Sequence, residues 1–412
     1  MKIVFFTDHF VPEISAPAAH VFDRCKIWVE QGHDVTVVTN VPNYPLGKPY
    51  EGYINRMRQW EVIDGIKVLR VLTYMTENTG TIKRTLDYIS FSISSFINSL
   101  TITRPDVVYS TSPHIFAPFG AIAFSILKRA PHVLEVRDIW PDSIAATTEM
   151  NRTSNFYKIL EFIEKMMYKA SKKIVVFTKS FKDNLIEKGV PTEKLHVVIN
   201  GANLSIFQSP LLDVDLEKSL GLRNKFVVGY FGTHGLSHDL LNVIRAGAMI
   251  KENDIHILFV GEGAEKSAMI SLAQELNATN IHFVDCQIRE NMPKYWGLCD
   301  VGLIHLKNDP VFETVIPSKI FETMASGRPI MYCGPNSDGA RLIKKYDCGL
   351  VTSSDDPKTL AIHLRLLMKD PDLCKRLAIN GKKISPKFSR EVQAEATLNV
   401  LQLASKVSKV EK

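Results

Sequence analysis

The sequence predicts an α/β protein of two Rossmann-like domains, each with a parallel sheet, facing one another across a cleft. Three observations carry that prediction. Short apolar runs alternate with helical periodicity along nearly the whole chain, which is the pattern of βαβ units. The alternation stops at the turn cluster Asn200-Gly-Ala-Asn203 and then restarts. A chain of 412 residues, 45% hydrophobic and 23% charged, also exceeds one core while keeping the mix of a globular protein. The expected domains are 1–200 and 201–387. The second sheet reads as complete by residue 385, so the terminal segment 388–412, with its helical pattern Arg390–Leu403, is expected to pack back on the first domain.

In order, Ile3–Thr7 reads as a buried strand, Pro17–Gln31 as a helix with Ala19, Phe22 and Ile27 inward, and Asp34–Thr39 as a second strand. The link Asp8–Pro17 is long and lies at the carboxyl end of a strand, where open α/β sheets bind ligands. Asn40–Tyr53 reads as a surface loop, and Trp60–Val62 pairs with Lys67–Leu72 around the turn Asp64-Gly65. Thr85–Leu100 and Phe116–Leu127 are apolar helices, either buried or turned toward a membrane with Lys83-Arg84 and Lys128-Arg129 at their ends. Asp106–Ser110 runs into Thr111-Ser-Pro-His114, and His132–Val136 into Arg137-Asp-Ile-Trp-Pro141. A lone histidine is ordinarily structural, and an adjacent Arg and Asp ordinarily pair. Side by side at two strand ends, His114, Arg137 and Asp138 become candidate catalytic residues. The first domain closes with an amphipathic helix Asn155–Ala170, a strand Lys173–Thr178, a helix Ser180–Lys188 and a run Leu195–Ile199.

The second set of units begins with the strand Lys225–Phe231, the loop Gly232-Thr-His-Gly235 and the helix Asp239–Lys251. His256–Val260, the turn Gly261-Glu-Gly263, Ile281–Val284, Val301–His305 and Ile330–Cys333 continue the sheet. Before the last strand, Pro317-Ser-Lys-Ile-Phe-Glu-Thr-Met-Ala-Ser-Gly-Arg-Pro329 reads as a helix opened by Pro317 and stopped by Gly327 and Pro329. Ser318, Glu322 and Ala325 share one face, and Ile320, Phe321 and Met324 the core side. A helix N-terminus beside Ser318 and Lys319 suits a phosphate, and Glu322 one turn in suits ribose hydroxyls.

Composition excludes several classes. Net charge is +6 with the basic residues scattered in pairs, which is too mild for nucleic acid. The six cysteines show no paired spacing and fit reduced thiols rather than a metal site or disulfide framework. Thr7, Asp8 and His9 interrupt the first apolar run too early for a signal peptide, and no run spans a bilayer, so the expected location is cytoplasmic. Asp213-Val-Asp215 has a metal-binding look but follows no strand, and reads as a solvated linker.

Several of these motifs stand in a known order. Val198-Ile-Asn-Gly-Ala-Asn203 with Phe207, Val228-Gly-Tyr-Phe-Gly-Thr-His-Gly235, Leu258-Phe-Val-Gly-Glu-Gly263, Cys299-Asp-Val-Gly-Leu-Ile304 and the Pro317–Pro329 run together resemble the retaining GT-B glycosyltransferases of family 4. The likeness spans essentially the whole chain and is greatest to bacterial O-antigen and capsule enzymes of the N-acetylfucosaminyltransferase type. It implies a GT-B fold, a UDP-sugar donor, and nucleotide contacts from Ala16, Gly232, His234, Gly235, Gly261, Ser318, Lys319 and Glu322. It also implies a saccharide acceptor on a lipid diphosphate, retention of configuration, and no cofactor or metal beyond the donor itself. Anionic membrane becomes an expected partner, with the protein peripheral at the inner face of the cell membrane. The chain departs from the family where Thr314 replaces the first of two paired glutamates, with Glu313 one step off. It departs also where Ser15-Ala16-Pro17-Ala18 replaces a double glycine, and where Thr233-His-Gly-Leu-Ser-His-Asp239 lacks an Arg and Lys pair that Lys319 could replace. Two other readings share the fold: a sugar-nucleotide 2-epimerase, which would convert a UDP-sugar without acceptor, and a glycan-binding subunit without activity.

Overall fold

The computed structural model describes residues 1–412 apart from 45, 77–80, 113, 143–144, 146–150, 209, 211, 252–253 and 411–412. Pro113, in the expected end of the Asp106 strand, therefore lies outside the described residues. The chain divides into two compact units, one of Met1–Ile199 with Arg390–Lys412 and one of Asn200–Ser389.

In unit 1 the apolar runs form β1 (Lys2–Phe6), β2 (Asp34–Asn40), β3 (Arg58–Ile63), β4 (Ile66–Val71), β5 (Val107–Ser112), β6 (His132–Val136), β7 (Lys173–Val176) and β8 (Leu195–Val197). They line up as β3-β4-β2-β1-β5-β6-β7-β8, with every pair parallel except β3 and β4. That hairpin turns on Asp64 and Gly65 at φ 48° and 78°, the left-handed backbone that an Asp-Gly turn supplies. Strand order reverses between β1 and β5, so the carboxyl ends of these two strands flank the crevice where this topology binds ligands.

Helix Ala16–Glu30 covers one face of this sheet, and its buried side is Val21, Cys25 and Trp28 rather than Ala19, Phe22 and Ile27. The reason is its neighbour. Helix Arg390–Val410 packs along it, and Trp28 Nε1 donates to the Ala394 carbonyl at 3.0 Å. Ala394, Leu398, Leu401 and Ala404 extend the same core, so the face is chosen by the last helix of the chain. The opposite face carries helices Thr81–Ser99, Phe119–Lys128 and Asn155–Ala170. The first two cross closely because Gly120 leaves room: a Cβ there would lie 2.5 Å from Ser95 Oγ and run into the Ser92 carbonyl. Their apolar character is only partly core. Phe91 and Phe124 are buried, while Leu86, Ile93 and Ile126 face outward.

Unit 2 contains β9 (Phe226–Phe231), β10 (Ile255–Val260), β11 (Ile281–Val284), β12 (Val301–His305), β13 (Ile330–Cys333) and β14 (Gly349–Thr352), in the order β11-β10-β9-β12-β13-β14 and all parallel. β14 is a half-buried edge strand opened by glycine, too weak in apolar pattern to be read from the sequence. The order reverses between β9 and β12. Helix Lys319–Ala325 sits beside that point, two turns long and not three, with Ser318 as its N-cap. Ala325 is fully buried with Ile320, Phe321 and Met324, so it leaves the face expected to hold Ser318 and Glu322. Gly302 of β12 admits this helix; a Cβ at that position would lie 2.5 Å from Thr323 Cγ2. The expected linker at Asp213 is instead helix Val214–Ser219, for which the Asp213 carboxylate is the N-cap, accepting from Leu216 N–H at 3.0 Å. Lys294 pairs with the same carboxylate at 3.1 Å, which commits Asp213 to structure.

Candidate active site

At the β9/β12 reversal two loops interlock through their backbones. Gly232 N–H donates to Val260 O at 2.9 Å, His234 N–H to Glu262 O at 2.8 Å, and Glu265 N–H to His234 O at 2.9 Å. Such packing needs glycine. Gly261, at φ +156°, has no room for a Cβ, which would overlap the Gly232 carbonyl; Gly263 is pressed against the His234 backbone in the same way. A third loop joins from β12: the His238 and His305 rings each bond the other's carbonyl, at 3.2 and 2.7 Å, and Lys307 N–H reaches Ser237 O at 2.9 Å.

Lys319 supplies the charge. A Cβ on Gly232 would lie 3.1 Å from Lys319 Nζ, so the ammonium stands at the open side of that glycine, 5.1 Å over the Tyr230 ring. Among the described residues it makes no ion pair, and burial pushes its pKa down while Glu322 opposes that. The short helix offers less than the sequence implied: its first N–H groups are already taken, Ile320 by Pro317 O at 3.1 Å, Phe321 and Glu322 by Ser318 O at 3.0 and 3.3 Å. Cationic attraction here is carried by the lysine side chain. Glu322 is half-buried one turn further on, and Gly235 closes the loop through its carbonyl, which accepts from His238 N–H at 2.9 Å. His234 is fully buried with neither ring nitrogen hydrogen-bonded. Burial, with Lys266 and Lys319 nearby, lowers its pKa to about 4, so the imidazole is neutral. Thr314 ends a 3₁₀ turn with its hydroxyl on Val311 O at 3.2 Å, and Glu313 is exposed.

Unit 1 builds a different crevice. His114, after β5, is buried in an aromatic cage, stacked on Tyr88 at 4.3 Å with Trp140 at 4.4 Å and Phe116 at 5.5 Å. Burial, aided by Arg84, lowers its pKa to about 3. Arg137 does not pair with Asp138. It reaches back to the buried Glu135 at 2.8 Å, a carboxylate also held by Arg24 and the Tyr109 hydroxyl. Asp138 remains exposed, and no hydrogen bond joins it to His114 among the described residues. Ala16 is an exposed first residue of its helix, behind the Ser15 hydroxyl that caps Ala18 N–H at 3.3 Å.

The end of β1 holds a cluster that sequence reasoning missed. His9 Nδ1 meets Glu13 Oε2 at 2.7 Å and its Nε2 lies 3.5 Å from Asp8 Oδ2. Although burial alone pushes His9 down, Asp8 and Glu13 more than offset it and hold the pKa near 9, so the ring is an imidazolium. Glu13 also accepts from Asn43 and Tyr44 N–H at 3.0 and 3.1 Å. Asp8 is buried with one oxygen unbonded and its pKa raised by burial; Asp87, which feels the charges of Asp8 and His9, is raised by burial to about 7. The strand-end rule that singled out His114 and Arg137 applies equally to Asp8-His9, directly after the first strand.

Comparison with known proteins matches both units. The family described as glycosyl transferase 4-like domain covers residues 15–201, and that described as glycosyl transferases group 1 covers residues 215–384. An Escherichia coli strain K12 protein, named as a colanic acid biosynthesis glycosyl transferase, is 26% identical over 334 residues, 79% of this chain and 82% of its own. A Campylobacter jejuni protein named as an N-acetylgalactosaminyltransferase acting on a saccharide-diphospho-undecaprenol is 25% identical over 61% of this chain and 66% of its own. The Anabaena protein HepE, solved with UDP and glucose, superposes with a TM-score of 0.71 at 16% identity over 98% of this chain and 99% of that one. Two glycosyltransferase domains in order, on two α/β units of the matching fold, make this chain a glycosyltransferase of the GT-B type.

Proposed function

We propose that the chain moves a sugar from a UDP-sugar, of the N-acetylfucosamine type, to a saccharide on a lipid diphosphate, with retention of configuration, in the assembly of a bacterial surface polysaccharide. One observation carries the donor half: Lys319 Nζ stands beside Gly232 at the strand-order reversal, among loops that only glycine allows to close. Departure of a nucleoside diphosphate develops negative charge, and the Lys319 ammonium, which forms no ion pair among the described residues, stabilises that charge without a metal ion. HepE, of the same fold, binds UDP and glucose, which supports the nucleotide; the names of the Escherichia coli and Campylobacter relatives support a polysaccharide pathway and a lipid diphosphate acceptor. Unit 1 contributes an acceptor-side crevice, where neutral His114, exposed Asp138 and the Asp8–His9–Glu13 cluster line the strand ends. Glu322 takes the ribose hydroxyls. Glu322→Ala should weaken UDP binding by about 1.5–3 kcal/mol in calorimetry, the range for hydrogen bonds to a charged group. Unchanged affinity would remove Glu322 from the site, and transfer that stops in EDTA and returns with Mg²⁺ would overturn the metal-free reading.

A further inference from the structure

The outer surface of the three helices on one face of unit 1 is apolar. On Thr81–Ser99, Leu86, Ile93 and Ile97 are exposed by 49%, 57% and 49%, at spacings that place them in one stripe. On Asn155–Ala170, Phe156, Ile159, Phe162 and Met166 form a second stripe, 48–63% exposed, and the exposed Lys158, Lys165 and Lys169 run along its flank. Helix Phe119–Lys128 packs between them and ends in Ile126 and Leu127, 70% and 57% exposed. Single exposed apolar side chains are ordinary, whereas two stripes on flanking helices with an exposed apolar helix end between them mark a contact surface.

Where the second and third of these helices end, a cavity of about 340 Å³ opens beside Ile126. Arg129, Lys169, Lys172 and Lys194 line it, and no carboxylate does. His132 in its wall is neutral, its pKa lowered to about 3 by burial and both ring nitrogens held by Ser110 and Ser171. The cavity is therefore cationic through its Arg and Lys side chains. It lies at the amino ends of β6 and β7, the sheet edge opposite to that carrying His9, His114 and Asp138, so it is separate from the transfer chemistry.

We propose that this three-helix face seats unit 1 on an anionic lipid bilayer, with the cavity taking the phosphate of one lipid headgroup. The charge complementarity is local. The apolar stripes enter the interface shallowly, and the lysines beside them and in the cavity meet the headgroups. The inference rests on the reading that the acceptor is carried on a lipid, and it moves the main contact from the two helices marked in the sequence to Asn155–Ala170. Lys128, one of the basic residues marked there, is instead folded over Phe124 with Nζ on Leu100 O at 2.9 Å.

The test is sedimentation of the full chain with phosphatidylcholine vesicles, with and without phosphatidylglycerol, at low and high salt. Wild type should pellet only with the anionic vesicles and be released by salt. Phe156→Ser with Phe162→Ser, and separately Arg129→Glu with Lys169→Glu, should each lower binding by at least about tenfold, since each removes part of an interfacial attraction. Both pairs are exposed, and both variants should keep the UDP-induced thermal shift and transfer to a detergent-free, water-soluble acceptor analogue. Loss of that shift or transfer in wild type would defeat the transferase reading and leave the docking result standing. Failure of wild type to pellet, or equal pelleting of the variants, would overturn the docking surface. Inorganic phosphate that raises the melting temperature of wild type but not of the Arg129→Glu, Lys169→Glu variant, without vesicle binding, would make the cavity a site for soluble phosphate.

Discussion

The crevice of unit 2 is walled by backbone, with Gly232, Gly261 and Gly263 pressed against neighbouring carbonyls and one ammonium, Lys319, at the opening. The crevice of unit 1, at the same place in a similar topology, is walled by side chains: Asp8, His9, Glu13, Asp87 and the aromatic cage of His114. The same fold thus supports two chemistries. Glycine leaves the Lys319 cation open to close approach, which suits phosphate oxygens. Buried carboxylates repel phosphate, and with aromatic faces they suit a neutral ligand rich in hydroxyl groups.

The largest way to break this contrast is Gly261→Ala. Its methyl group would overlap the Gly232 carbonyl from a positive φ, so the variant should lose about 2–4 kcal/mol of stability and most UDP binding, read by urea unfolding and calorimetry. A variant of wild-type stability that still binds UDP would show that the interlocked loops are not a nucleotide cradle.

Lys319→Met comes next. UDP affinity should fall by about 1.5–3 kcal/mol, as for loss of a charged hydrogen bond. Folding stability should stay level or rise, because Nζ is desolvated and forms no ion pair among the described residues.

In unit 1, His9→Gln removes the cation shared by Asp8 and Glu13 and should lower stability by about 1–3 kcal/mol. UDP affinity should not change, and the KM for acceptor should rise. Equal damage to UDP binding would mean that the two crevices do not divide the work as described.

The smallest effect is a pH dependence. His114 and His132, held near 3, and His234 and His305, held near 4, are neutral in the fold. Each folded pKa is below the unfolded value of about 6.5, so this stability is present above about 6.5 and is lost as pH falls, by at most about 1.4 kcal/mol per unit and group. His9 has the opposite sign. Its pKa, raised to about 9, adds stability below about 6.5 that is lost as pH rises through 9. Urea midpoints should decline from pH 6.5 toward 5 and, above pH 8, decline less in His9→Gln than in wild type.

What could be read in advance follows from range. The alternation of apolar runs, the Asp64-Gly65 hairpin and the restart after Asn203 are local patterns, and β6, β11, β12 and β13 appear at the bounds their apolar runs imply. The faces of helices were harder. Val21, Cys25 and Trp28 point inward because helix Arg390–Val410 lies across them, a partner more than 360 residues away in the chain. His114, Arg137 and Asp138 were found by a rule about strand ends, but their partners were not. Arg137, just past the end of β6, chose Glu135 two residues back, where continued alternation would put both side chains on one face of the sheet.

By itself the sequence determined most of the strands and the helices between them, and the glycine-rich turns after β9 and β10, since backbone preference and periodicity act over a few residues. Tertiary structure alone decided that Lys319 would stand at Gly232, some ninety residues earlier in the chain, that His9 would be an imidazolium between two buried carboxylates, and that four cations would line one cavity. The physical reason is that charge state and ligand geometry depend on desolvation and on neighbours brought together by strand order, and neither is encoded in any local stretch.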